Sequence, residues 1–118
     1  MSRSDVVIYH NPACGTSRNT LALLLEQGVE PIVVPYLKVG WTSALLQDLA
    51  ARSGGSLRDL LRKRGTQADA LGLTDAATPE SALLAAMVND PSLVDRPIVA
   101  TEKGVALCRP PERALGLL

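Results

Sequence analysis

Two short apolar runs joined by a leucine-rich stretch constrain this chain more than any other feature. Val6-Val7-Ile8-Tyr9 is continuous and rich in β-branched residues, the pattern of a central strand covered on both faces. Pro12 stops it. Leu21, Leu24 and Leu25 then fall at helical spacing, Thr16 or Ser17 is placed to cap that helix, and Gly28 ends it. Ile32-Val33-Val34, closed by Pro35, reads as a second strand. Strand, helix, strand in this order requires a parallel pair with a right-handed crossover.

The rest of the chain fits around that unit. Gly40-Trp41-Thr42 opens a helical region whose stripe is Leu45, Leu46 and Leu49, ended by Gly54-Gly55. Ser56-Leu57-Arg58-Asp59 resembles a capping box, starting a short helix that buries Leu57, Leu60 and Leu61 and stops at Arg62-Lys63-Arg64-Gly65. Thr66 to Asp75 is a looser connection. Thr78-Pro79-Glu80 supplies a cap, a proline for the first helical position and an acid for the first turn. Leu83, Leu84, Met87 and Val88 are the stripe that follows. Ile98 to Thr101 and Val105 to Cys108, separated by Glu102-Lys103-Gly104, predict a hairpin, and Pro110-Pro111-Glu112 a last short helix through Leu115. The order resembles an α/β, thioredoxin-like fold: a mixed sheet of about four strands, with a helical insertion at about 41–90 in a single domain spanning 1–118.

Composition narrows the function classes. Lysine plus arginine number 12 and aspartate plus glutamate 12, so a general nucleic-acid or membrane surface is not expected and any anion site is local. No run approaches the ~20 apolar residues of a membrane span, and the few after Asp5 fall short of the roughly 7–15 of a secretory segment. A cytoplasmic chain is expected, with Cys14 and Cys108 as free thiols. One histidine and two distant cysteines make a poor zinc set, so no metal is expected.

The chemistry concentrates in His10-Asn11-Pro12-Ala13-Cys14-Gly15-Thr16-Ser17-Arg18-Asn19-Thr20. A cysteine between strand and helix meets the amide groups of a helix N-terminus, which stabilise a thiolate. Ser17, His10 and Arg18 are candidates to help, and Gly15 lets backbone approach a ligand closely. A dithiol motif needs a cysteine where Ser17 stands, so any redox cycle recruits a thiol from elsewhere. A phosphatase-type loop needs arginine where Thr20 stands. Cys108 follows Val105-Ala106-Leu107 and reads as a packed residue, as do Trp41 and Tyr36.

These eleven residues, with Leu60-Leu61-Arg62-Lys63, Leu71-Gly72-Leu73, Arg96-Pro97-Ile98-Val99 and Leu107-Cys108-Arg109-Pro110, resemble the glutathione- and glutaredoxin-dependent arsenate reductases from about Val7 to Pro110. The resemblance implies that Cys14 attacks arsenate, that His10 favours its thiolate, and that Arg62, Arg96 and Arg109 bind the oxyanion. It further implies glutathione as co-substrate with no bound cofactor, glutaredoxin as protein partner, and a role in arsenic detoxification; a monomer is expected. Pro97 falls where thioredoxin-like folds hold a cis proline beside the reactive thiol. Guanidinium groups suit the task, because they offer paired donors to a tetrahedral oxyanion and stay charged.

Taken alone, Arg62 sits in a basic run that could simply cap a helix end, and Arg96 and Arg109 flank the hairpin strands as surface arginines do. Two other functions remain open from the sequence. One is a glutathione-dependent thiol oxidoreductase, for which the arginines have little purpose. The other is a redox-responsive, protein-binding regulator, recommended by Arg64-Gly65-Thr66, which resembles related thioredoxin-like proteins and RNA-polymerase-binding regulators, but disfavoured by Ser17. The reductases usually continue past the position of Leu118, so Leu117 and Leu118 are expected to be exposed.

Overall fold

The computed structural model describes residues 5–118; Met1 to Ser4, which precede the apolar run read above as too short for a secretory segment, lie outside them. The chain forms two compact units: residues up to 39 with 96–118, and residues 40–95.

In the first unit the strands are β1 (Val7–Tyr9), β2 (Ile32–Val34), β3 (Ile98–Thr101) and β4 (Gly104–Leu107). They form a mixed four-stranded sheet in the order β2-β1-β3-β4. β1 pairs parallel with β2 and antiparallel with β3, and β3 pairs antiparallel with β4. The two inner strands are the continuous apolar runs, as burial from both faces demands. On the β2 edge, Ile32 and Val33 are exposed, and the flanking Pro31 and Pro35 keep that edge short. The hairpin turn is tighter than expected: Gly104 pairs with Thr101 instead of lying in the turn.

Helix α1 (Gly15–Glu26) connects β1 to β2, and Gly28, at φ 77°, ends it in the left-handed conformation glycine accepts. Its buried face differs from the leucine stripe. Leu24 is fully buried, but Leu25 is 55% exposed, and Thr20 and Ser17 complete the inner face one and two turns earlier. Polar side chains can lie there because each has a hydrogen-bond partner; Thr20 returns its hydroxyl to the Thr16 carbonyl at 2.8 Å. Leu24 packs in a cluster with Val6, Ile8, Val29, Val99, Cys108 and Ala114. Leu24→Ala is therefore expected to cost about 2–5 kcal/mol, read as a lowered denaturant midpoint. A cost near zero would show that this cluster is not the core.

A short helix, α2 (Tyr36–Val39), follows β2 where the sequence shows no helical stripe, and buries Tyr36. The final segment, Pro111–Leu117, is a 3-10 helix packed on α1 and β4. Leu117 and Leu118 are not the exposed ends expected above: both are half-buried against the Leu24 cluster, and the Thr101 hydroxyl donates to the Leu117 carbonyl at 2.7 Å.

The second unit holds α3 (Ser43–Arg52), a 3-10 turn at Leu57–Leu60 and α4 (Glu80–Asn89). Thr42 caps α3 through its side chain, which accepts the Leu45 N–H at 3.2 Å. Asp59 closes the expected box by accepting the Ser56 N–H at 2.8 Å, although the element it starts is a 3-10 turn. Pro79 is the cap of α4 and not its first residue. The Glu80 carboxylate accepts the Leu57 N–H at 3.0 Å, which joins two of these elements. Trp41 is buried and donates its indole N–H to the Pro91 carbonyl. Among the described residues no helix is long and apolar enough to cross a membrane.

Candidate active site

The turn between β1 and α1 is built on backbone bonds around Cys14. Its N–H donates to the Asn11 carbonyl at 3.0 Å, and its own carbonyl accepts the Arg18 N–H at 3.0 Å, the first bond of the helix. Cys14 is thus the cap residue, with extended backbone, and the expected caps Thr16 and Ser17 lie inside the helix. Ser17 is free for other work. Its fully buried hydroxyl stands 2.6 Å from His10 Nδ1 and accepts the Asn11 N–H at 3.0 Å.

Cys14 is partly exposed and its thiol is held below the ordinary cysteine range. Burial alone pushes it up; the Ser17 amide and the Arg96 and Arg109 guanidinium groups together outweigh that. The Ser17 amide faces the sulfur without reaching the geometry of a full capping bond. Arg109 Nη1 lies 3.8 Å from the sulfur and also donates to the Arg96 carbonyl at 3.0 Å. Hairpin register explains this meeting. Ile98 pairs with Leu107, so the residues just outside the pair, among them Arg96 and Arg109, leave the sheet at one end.

His10 is buried, and both burial and the nearby Arg18 charge lower its pKa, so near neutral pH the ring is uncharged. Any help it gives the thiolate passes through Ser17, not through a positive charge. Arg18 itself donates to the Pro12 carbonyl at 2.8 Å and closes the turn from outside. A Cβ on Gly15 would meet only Arg18 Nη2, at 3.7 Å, so backbone beside the thiol is openly presented. The Arg96–Pro97 bond is cis, as the place of Pro97 led us to expect, and the Pro97 carbonyl accepts the Cys108 N–H at 2.9 Å.

The first unit therefore brings together Cys14, His10, Ser17, Gly15, Arg96, Pro97 and Arg109. Arg62 belongs to the second unit and does not cap a helix. Its N–H donates to the Leu93 carbonyl at 2.8 Å, and its guanidinium pairs with Asp95 at 3.0 Å, both side chains largely buried. Spacing does not mark Asn11 as special. Its signal was the Asn-Pro pair, a frequent opening for a turn that the asparagine side chain closes. Cys108 is wholly buried, and burial pushes its thiol up to about 11. Cys108→Ala is expected to leave the alkylation rate of Cys14 unchanged while costing roughly 1 kcal/mol in thermal unfolding. A slowed Cys14 would show that the buried thiol matters to the site.

A monothiol with a depressed pKa, at the N-terminal end of α1 on a four-stranded mixed sheet and approached by two arginines, is the candidate reactive centre of this fold. The ArsC family profile matches residues 9–117. The chain belongs to the ArsC family. It is 47% identical over 113 residues to an arsenate reductase of Rhizobium meliloti, covering 96% of this chain and 81% of that one. It is 44% identical to an arsenate reductase of Escherichia coli K12, covering 98% and 82%. The solved structure of an arsenate reductase from Vibrio cholerae superposes with a TM-score of 0.91 at 40% identity, covering 96% of this chain and 97% of that one.

Proposed function

We propose that this chain is an arsenate reductase, one thioredoxin-like domain working in the cytoplasm with Cys14 as nucleophile. The observation that carries the reading is the approach of Arg96 and Arg109 to the Cys14 sulfur. The sulfurs of a disulfide carry no charge, so two guanidinium groups at the reacting atom have little to bind there, whereas a tetrahedral oxyanion brings its charge to that point. The Cys14 thiolate forms a bond to arsenic and one arsenate oxygen leaves as water after protonation. Glutathione then joins the arsenic as a second oxygen leaves as water. The glutaredoxin thiolate takes the glutathione sulfur as a disulfide and leaves the electron pair on arsenic, and water cleaves the Cys14–As bond. In sum two thiols are oxidised to a disulfide, two electrons pass to arsenic, and arsenite is released. His10 acts through Ser17 on the thiolate, and Pro97 and Gly15 shape the space beside it.

Arg62 is the third arginine that the family resemblance implies for the anion. Its guanidinium already faces an aspartate, so its pull on an anion is weaker than that of Arg109, which is held by a neutral carbonyl. Arg62→Ala is expected to raise the KM for arsenate less than Arg109→Ala does; the reverse order would move the main anion contact to Arg62. The whole reading is tested by arsenate-dependent NADPH oxidation through glutathione reductase, glutathione and glutaredoxin. Turnover lost in Cys14→Ser is the expected result. A protein idle with arsenate but active on a glutathione mixed disulfide would replace the reading with that of a thiol oxidoreductase.

A further inference from the structure

We propose that Asn11 is the positioning residue of the Cys14 turn. Asn11 is only 7% exposed and is bonded in three directions. Its side-chain Oδ1 accepts the Ala13 N–H at 3.0 Å, its carbonyl accepts the Cys14 N–H at 3.0 Å, and its N–H donates to Ser17 Oγ at 3.0 Å. One residue therefore connects the nucleophile to the helical residue whose amide faces it. Pro12 has no N–H, so Ala13 offers the first amide that the side chain can capture, and this bond closes the turn. The backbone bonds survive any substitution in principle; the Oδ1 contact does not.

The bond lies at a partly exposed turn, where water can take over the Ala13 N–H once the side chain is gone. Its loss therefore costs the fold little and the geometry more. A turn no longer held at Ala13 lets the sulfur drift from the Ser17 amide and from the Arg96 and Arg109 guanidinium groups. These, with the uncharged His10 behind Ser17 and Arg18 on the Pro12 carbonyl, are the titratable and charged groups around the turn. Asn11 touches neither substrate nor sulfur with its side chain and acts through its neighbours.

The inference deepens the reading of Cys14 as nucleophile, and its test needs no arsenate, so the two can fail separately. Alkylation of Cys14 by iodoacetamide is followed against pH in the full chain and in Asn11→Ala and Asn11→Ser. The thiolate fraction at pH 7 is expected to fall about three- to tenfold in Asn11→Ala, a rise of half to one pKa unit. Asn11→Ser keeps a weaker acceptor for the same turn and is expected to shift less, with thermal midpoints close to the parent in both. Should Asn11→Ala fail to fold, the partial shift in Asn11→Ser carries the test. An unchanged profile in either variant, or a shift in Asn11→Ser as large as in Asn11→Ala, overturns the proposal.

Discussion

Cys14→Ser is expected to remove arsenate reduction altogether, a loss of at least about 10³-fold in kcat, while leaving the fold intact. The reason is chemical before it is geometric. A serine hydroxyl is un-ionised near neutral pH and offers no thiolate to attack arsenic, so the adduct on which glutathione and glutaredoxin act never forms. The same position governs pH dependence. Because the folded state holds the thiol below its ordinary value, the unfolded chain binds a proton that the folded chain does not in the window between the two values. Stability contributed by the thiolate is present above that window and is lost as pH falls through the folded value. Cys14→Ser is expected to flatten this part of the stability profile, and alkylation of the parent to slow over the same range. Reduction persisting in Cys14→Ser would remove the nucleophile from the mechanism.

Arg109→Ala carries the second large effect. Its guanidinium serves the sulfur and the Arg96 carbonyl together, so removing it weakens the thiolate and loosens the neighbouring arginine's backbone. A loss of about 10²–10³-fold in kcat/KM is expected, the size seen when one donor to a developing oxyanion is deleted. A raised thiol pKa should accompany it. Arg109→Lys keeps the charge but not the fork, and is expected to recover the pKa better than the turnover. Equal recovery of both would mean that charge alone is what the site uses.

The sheet was legible because its inner strands, β1 and β3, are buried on both sides and so appear as unbroken apolar runs. Gly28 and the hairpin were legible for a similar reason, since local chemistry determines them. The inner face of α1 was not. Leu25 and Ser17 are both compatible with helical spacing, and only the presence of His10 and the Asn11 amide makes the hydroxyl the better residue to bury. Arg62 illustrates the same limit: a basic run carries no sign that Asp95, far along the chain, takes one of its members. At the site, Cys14 was legible as a thiol between strand and helix; of the three arginines the resemblance added, Arg96 and Arg109 approach its sulfur and Arg62 pairs with Asp95. The neutrality of His10 came from burial and from Arg18, which no spacing rule records.

The two arginines are close in sequence and the thiol is not. Arg96 and Arg109 are 13 residues apart and meet across one hairpin, whereas Arg109 reaches Cys14 over a separation of 95 residues. Closing the short loop costs less entropy than closing the long one, so the contact between Arg96 and Arg109 can form before Cys14 joins it. During synthesis Cys14 emerges early and lacks its guanidinium partners until the segment that carries Arg96 and Arg109 has followed it. Its heightened reactivity is thus withheld from the nascent chain, and a fast-alkylating Cys14 certifies that the turn after β1 and the hairpin of β3 and β4 have found each other.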